Sequence, residues 1–391
     1  MKITFVAPRS WPSIGGAQAF LKHLGGALAE GHDVRFVALT TATGPSSRTW
    51  DSEPLPRFEP FTDGAVQISQ VRLGSGHRAA LAPLRLQTVP VLRRYAYSRA
   101  RVASLELYAR VVAPLVAEAA EGSDVLHAWN IGSFGAAAVR AAKLLGVPSA
   151  ITPFAHGGEW GDDPASGHVY RQASRVVALL GSEAQIYERL GVPDAAVCGV
   201  CSPGAQGGDG AALRARLGIE GPLVLFLGVR RPYKGFDLLV QAAREVPGAT
   251  FAFVGPGEAV AGERIIDAGL VSDAERADWL AAADLLCLPS AAEIFPSSML
   301  EAWSVGTPAL TSDIAPLAEL ARVTGGSIAV PRDVPSLAAA LRELVADPER
   351  LRALGESGRE AWEQRFTPRQ VARLHINLYE QLLAERSARV A

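Results

Sequence analysis

Cysteine is scarce in this chain, with three in 391 residues, at Cys198, Cys201 and Cys287. So low and odd a count supplies no disulfide framework and points to a reducing compartment. Cys198-Gly-Val-Cys201 has redox-motif spacing, but no second pair completes a zinc site. Lysine is scarcer still for its kind. Only four of the 38 cationic residues are lysine, and Lys234 is the only one in the second half of the chain. A formal net charge of −2 excludes a wholesale nucleic-acid binder. No apolar run reaches the ~20 residues needed to span a bilayer. The opening MKITFVAP lacks the charged-then-apolar layout of a signal peptide, so the expected location is cytoplasmic. Absent too are an Asp-x-Asp motif and any cluster of acids and histidines at metal-site spacing, so no metal or other cofactor is expected.

What is present is a soluble globular composition, 49% apolar and 20% charged, at a length suited to two domains. The chain reads as alternating strands and helices. Ile3 to Ala7 is a short apolar strand, and Ala17, Phe20, Leu21, Leu24 and Leu28 then mark one helical face. Val34 to Leu39 is a second strand, which makes a βαβ opening with a right-handed crossover. Strands are predicted at 124–128, 149–152, 176–180, 223–227, 250–254, 284–288, 309–311 and 327–330. After Pro335 the pattern is helical to the end. The stretch Ser202 to Gly210 is rich in turn formers and reads as a hinge. The fold class is α/β, and in such sheets ligands sit beyond the carboxyl ends of the strands.

The span from His77 to Ala117 carries Arg78, Arg85, Arg93, Arg94, Arg99, Arg101 and Arg110 against a single acid, Glu106. It fits a solvated helical pair packed on the first domain. It also fits a peripheral membrane contact or a surface for an anionic or lipid-linked acceptor.

The strongest chemical signal is Glu293-Ile-Phe-Pro-Ser-Ser-Met-Leu-Glu301. Its first carboxylate follows a strand and its second lies on a helix begun by Pro296 or Ser297. Free N–H groups at such a helix start suit a diphosphate. Glu293 could accept bonds from sugar hydroxyls and Glu301 from ribose hydroxyls. Gly228-Val-Arg-Arg-Pro-Tyr-Lys-Gly235 also joins a strand to a helix, and its cations can neutralise a departing diphosphate. Gly255-Pro-Gly257 would let backbone approach a ligand. His127 fits a residue packed at a strand end or a catalytic one. Trp11, Trp129 and Trp160 fall on loops where they could pack or stack on an acceptor ring.

With these motifs in order, the chain resembles the retaining, GT-B-fold glycosyltransferase family 4. The second half carries the resemblance best, through the loop ending in Lys234-Gly235, Gly255, the Glu-x7-Glu block and the Glu301-to-Pro308 run. Gly15-Gly16, Gly31-His-Asp-Val34, His127 and the His156-Gly157 loop match more loosely. The resemblance implies two Rossmann-like doubly wound domains facing across a cleft, at residues 1–203 and 204–370, with residues 371–391 crossing back as a helix. It assigns Lys234 to the donor diphosphate, Glu293 to the donor sugar and Glu301 to ribose. Phe295, Pro296, Ser297 and Ser298 would hold sugar and phosphate by backbone, and Gly15 and Gly16 would let the diphosphate lie close. His156 would sit near the reacting carbon. Trp129, His127 and Trp160 are acceptor-side candidates. One departure is Val229, where the family usually has arginine; Arg230 is the expected phosphate cation, with Arg231 in reserve. The implied activity is metal-independent, retaining transfer of a hexose-type sugar from a UDP- or GDP-sugar to a hydroxyl of a small-molecule, secondary-metabolite or glycan acceptor. The alternatives are a catalytically inactive partner subunit and a membrane-surface enzyme acting on a lipid-linked acceptor.

Overall fold

The computed structural model describes residues 1–11, 16–39, 58–84, 97–130 and 132–390. Contacts divide the chain into one unit of Met1–Gly199 with Val371–Ala391 and a second of Val200–Gln370.

The first unit alternates β1 (Lys2–Ala7), α1 (Gly16–Ala29), β2 (Asp33–Leu39), β3 (Phe61–Asp63), β4 (Val66–Val71), α2 (Ser75–Ala80), α3 (Tyr97–Ala119), β5 (Val125–Trp129), α4 (Ser133–Leu145), β6 (Ser149–Thr152), α5 (Pro164–Tyr170), β7 (Arg175–Ala178), α6 (Gly181–Arg189) and β8 (Ala196–Val197). Its sheet runs β3-β4-β2-β1-β5-β6-β7-β8. All pairs are parallel except β3 with β4. Strands buried on both faces read as unbroken apolar runs, and every residue of β5 is buried. The β3–β4 hairpin, not predicted from the sequence, turns at Gly64 with φ 60°.

The second unit alternates α7 (Gly210–Leu217), β9 (Leu223–Leu227), α8 (Phe236–Ala243), β10 (Thr250–Val254), β11 (Ile265–Gly269), α9 (Asp273–Ala282), β12 (Leu285–Leu288), α10 (Ser297–Ser304), β13 (Ala309–Ser312), α11 (Ala315–Thr324), β14 (Ser327–Val330), α12 (Val334–Val345) and α13 (Pro348–Ala361). The last helix, α14, spans Pro368–Val390. The second sheet is wholly parallel, in the order β11-β10-β9-β12-β13-β14. Counted along the chain this is the doubly wound order 3-2-1-4-5-6, which reverses between β9 and β12. Loops leaving those two strands therefore open on the crevice where such sheets bind ligands.

The stretch read as a hinge packs as part of the second unit. The Ala205 amide donates to Ser304 Oγ of α10 at 2.8 Å, and the Asp209 amide to Asp278 Oδ1 of α9 at 2.7 Å. The arginine-bearing helix α3 buries Leu105, Tyr108, Val112 and Val116 in the first core. Its Arg101 pairs with Asp163 at 3.4 Å, while Arg78 and Arg110 are exposed. Arg85, Arg93 and Arg94 lie outside the described residues. Among the described residues no helix is long and apolar enough to cross a membrane.

Candidate functional site

The reversal point of the second sheet gathers three loops. After β9 the chain extends through Gly228 to Arg231 and then makes a single 3-10 turn, Pro232–Lys234. Gly235 ends that turn at φ 72°, and a Cβ there would stand 2.1 Å from the Pro289 carbonyl oxygen. Only glycine fits both the left-handed backbone and that contact. The loop after β12 is laced to the first by the Ala291 amide, which donates to the Tyr233 carbonyl at 2.6 Å. From the end of β14, Arg332 reaches both. Its Nε donates to Pro289 O at 2.9 Å and a terminal nitrogen to Pro232 O at 3.1 Å.

Inside this lacing the lysine assigned to the diphosphate and the acid assigned to the sugar meet each other. Lys234 Nζ is 2.5 Å from Glu293 Oε1, with side chains 21% and 8% exposed. The same oxygen accepts from Ser290 Oγ at 2.9 Å. An ammonium and a carboxylate are thus held together at the mouth of the sheet, with the lysine the more open of the two. Three residues on, Pro296 caps α10, which begins at Ser297. Phe295, Ser297 and Ser298 are half-buried, and the Phe295 ring meets Phe366 at 5.4 Å.

Glu301, one turn into α10, is mostly buried and lies 3.5 Å from Arg276 Nε. Burial raises its pKa against the opposing pull of Arg276, and Asp273 adds to the rise. Both residues line a cavity of about 240 Å³ together with Asp273, Ala277, Gly204 and Gln206. Sequence reasoning missed Arg276. Its only sequence signal is its position on the helix that follows β11, itself unpredicted.

Arg230, the expected phosphate cation, is placed differently. Its side chain is 4% exposed and its guanidinium is committed to Asp267 on β11. Its backbone amide donates to Pro256 O at 2.8 Å, which ties the loop after β9 to the Gly255 turn. Gly255, at φ 131°, lies so close to Gly228 that a Cβ would stand 2.1 Å from the Gly228 carbonyl oxygen. Burial alone would raise the Asp267 carboxyl, but Arg230 and the Val260 and Gly269 amides outweigh it and hold it below the usual range. Arg231 is exposed. Val229 is half-buried beside it.

In the first unit, His156 follows β6 with its side chain 15% exposed, and its amide donates to Trp160 O at 2.9 Å. The Trp160 ring meets the imidazole at 4.3 Å, and its indole N–H donates to Phe154 O at 2.9 Å. Gly16 is exposed at the start of α1; Gly15 lies outside the described residues.

Two acceptor-side candidates are corrected. His127 and Trp129 are 0% and 1% exposed, so neither offers a ring to a ligand from its place in β5. His127 is bonded on both nitrogens, to Tyr379 Oη of α14 at 2.6 Å and to Thr152 Oγ1 of β6 at 2.8 Å. Trp129 stacks on it at 3.9 Å. Burial, aided by His375, pushes the His127 pKa well below the ordinary imidazole value. Together they pin α14 to the sheet. Trp11 is likewise buried, its indole donating to Asp63 Oδ2 at 2.7 Å. The three cysteines are free and buried, and burial pushes the Cys198 thiol up to about 12, which makes it a poor redox nucleophile. Among the described residues no group of three or more His, Cys, Asp or Glu is arranged to hold a metal ion.

Known proteins share the domains and the fold. Residues 211–361 match the family Glycosyl transferases group 1, and residues 15–201 match Glycosyl transferase 4-like domain. The second half is a group 1 glycosyltransferase domain and the first half a glycosyltransferase 4-like domain. Relatives of the chain include a D-inositol 3-phosphate glycosyltransferase of Segniliparus rotundus, 32% identical over half of this chain and 51% of that protein. An MMP alpha-(1->4)-mannosyltransferase of Mycolicibacterium hassiacum is 35% identical over 30% of this chain and 29% of its own length. A 2-deoxystreptamine glucosyltransferase of Streptomyces kanamyceticus is 29% identical over 44% and 50%. The matched region thus spans about half the length of these relatives or less. Solved structures agree on the fold. Sucrose-phosphate synthase of Thermosynechococcus elongatus superposes with a TM-score of 0.71 at 19% identity, over 98% of this chain and 100% of that one. HepE of Anabaena, solved with UDP and glucose, gives 0.68 at 17%, over 97% and 100%. The architecture is GT-B, with two doubly wound α/β units.

Proposed function

We propose that this glycosyltransferase is a retaining, metal-independent enzyme that moves a hexose-type sugar from a UDP- or GDP-sugar to a hydroxyl of a polar small molecule. The observation that carries the reading is the Lys234–Glu293 pair at the reversal point of the second sheet. In this reading Lys234 exchanges Glu293 for the donor diphosphate, where a positioned cation stabilises charge that grows on the leaving group. Glu293, freed of its partner, accepts from sugar hydroxyls. The first amides of α10 face the phosphate, and Glu301 takes the ribose in the cavity it shares with Arg276. Arg231, exposed beside the same loop, is the better placed second cation, because Arg230 is already held by Asp267. His156 is assigned to a hydroxyl of the reacting sugar by the family resemblance alone. No carboxylate is assigned as a covalent nucleophile, so the acceptor attacks from the leaving-group face and its proton passes to the donor phosphate.

Support for a polar acceptor comes from the relatives, whose names specify inositol phosphate and 2-deoxystreptamine. The chain is tested with a panel of UDP- and GDP-sugars, measuring nucleoside diphosphate release with and without a chelator. Slow release with one donor, unaffected by chelator, and a first-formed sugar with the donor's anomeric configuration by NMR are expected. Binding of donors with no turnover across the panel would favour an inactive partner subunit. An inverted product would overturn the retaining assignment.

A further inference from the structure

In the first unit, one buried acid has no part in the chemistry described so far. Glu183, in the first turn of α6, is 4% exposed. A buried carboxylate is costly unless its oxygens are bonded, and both are. Oε1 accepts from the Ala155 amide at 2.8 Å and from the Tyr187 hydroxyl, and Oε2 accepts from the Leu179 amide at 2.6 Å. Ala155 directly precedes His156.

The loop it grips is under strain. Phe154 sits at φ 59°, a left-handed conformation that a bulky side chain rarely adopts and that persists only where its surroundings enforce it. Those surroundings are visible at the next peptide. The Phe154 carbonyl accepts from the Trp160 indole, and the Ala155 amide donates to Glu183. Both polar ends of the Phe154–Ala155 peptide are therefore fixed. From beneath, the Tyr170 hydroxyl donates to Gly161 O at 3.0 Å, which closes the far end of the loop. An amide side chain is not equivalent to the ionised carboxylate, the form that prevails above about pH 7. Each oxygen faces a backbone N–H, so a glutamine would turn its NH2 towards one of them.

We propose that Glu183 is a positioning residue for His156, its buried carboxylate clamping the Phe154–Ala155 peptide to the end of β7 and to α6 so that the imidazole is held in register. The proposal rests on the reading that His156 acts at the reacting sugar. A displacement of about 1 Å in a positioned group costs up to about 100-fold in rate.

The experiment compares Glu183→Gln and His156→Ala, singly and together, by steady-state donor turnover and by the Kd of UDP and GDP. Glu183→Gln is expected to lower kcat by about 10-fold or more. It should leave the nucleotide Kd within about 2-fold and cost less than about 2-fold further in the His156→Ala background, because residues acting through one another are not additive. Glu183→Asp keeps the charge and shortens the reach, and it serves if the glutamine variant does not fold. It too should lower kcat without weakening nucleotide binding. Unchanged kcat in Glu183→Asp, or losses that multiply with His156→Ala, would overturn the positioning role while leaving His156 in place. Wild-type kcat in His156→Ala would instead remove the reading on which the proposal rests.

Discussion

Removing the Lys234 ammonium tests the donor site most directly. Lys234 holds Glu293 at 2.5 Å, and Glu293 is only 8% exposed. Lys234→Ala leaves that carboxylate with the Ser290 hydroxyl as its remaining bond in this cluster. Breaking a fully buried pair costs about 3–5 kcal/mol. Lys234 is a fifth exposed, so solvent recovers part of this, and a loss of about 1–3 kcal/mol is expected. That corresponds to a fall in Tm of roughly 2–4 °C per kcal/mol for a unit of this size. The effect on catalysis should be larger. Loss of one positioned charge on a leaving group costs about 2.7 kcal/mol or more, which is about 100-fold in turnover. Glu293→Gln keeps the acceptor for Ser290 and should also cost about 100-fold, but through the sugar. The two variants therefore separate in a binding assay without sugar. By calorimetry, Lys234→Ala weakens the nucleoside diphosphate by at least about 10-fold, a contact of about 1.4 kcal/mol. Glu293→Gln leaves that affinity unchanged or raises it, because the lysine no longer has to leave a carboxylate. A folded Lys234→Ala protein with turnover within about 3-fold of wild type would refute the assignment, since 3-fold is under 1 kcal/mol.

Three further outcomes are expected. Glu301→Gln should weaken UDP or GDP by about 10-fold and lose most of the preference for the ribose over the 2′-deoxyribose nucleotide, as read by calorimetry. Gly235→Ala, forced against the Pro289 carbonyl in a left-handed conformation, should lose at least about 2 kcal/mol in chemical denaturation and most of the turnover. Burial pushes the Glu183 carboxyl up to about 7 against the pull of its three donors, with Tyr187 on its own helix and Tyr170 on α5 as the titratable groups facing it. A raised carboxyl pKa stabilises the folded state below the unfolded value and loses that contribution as pH rises towards 7. Wild-type stability measured against Glu183→Gln should therefore fall by about 3 kcal/mol between pH 4.5 and 7. His375, pushed down to about 4 by burial, works in the opposite direction over much of that range, so the difference between proteins rather than the wild-type curve is diagnostic.

The second unit's site was legible because its parts hang from strand ends. A parallel sheet of order 3-2-1-4-5-6 makes the loops after its first and fourth strands neighbours. That order, seen in the structure, is what brings Lys234 to Glu293 across 59 positions. The misread residues depend on partners that strand order does not supply. His127 and Trp129 look like cleft residues until α14 returns with Tyr379, 252 positions away, to bury them. Arg230 looks like a free cation until β11 brings Asp267, and β11 itself escaped notice because it is a half-buried edge strand between glycines. Glu183 has the sequence signature of an ordinary helix-start acid. The burial that gives it another role comes from Tyr187 and the Ala155 loop. The β3–β4 hairpin is a different case, because Asp63-Gly64 is a turn signal that can be read locally. A charged side chain in such a fold is thus assignable from sequence when a strand end aims it at the reversal point. It is not assignable when its surroundings decide whether it meets water or a buried donor. That is why Lys234 and Glu293 can be singled out in advance, while Glu183 emerges only once the hydrogen bonds of the His156 loop are traced.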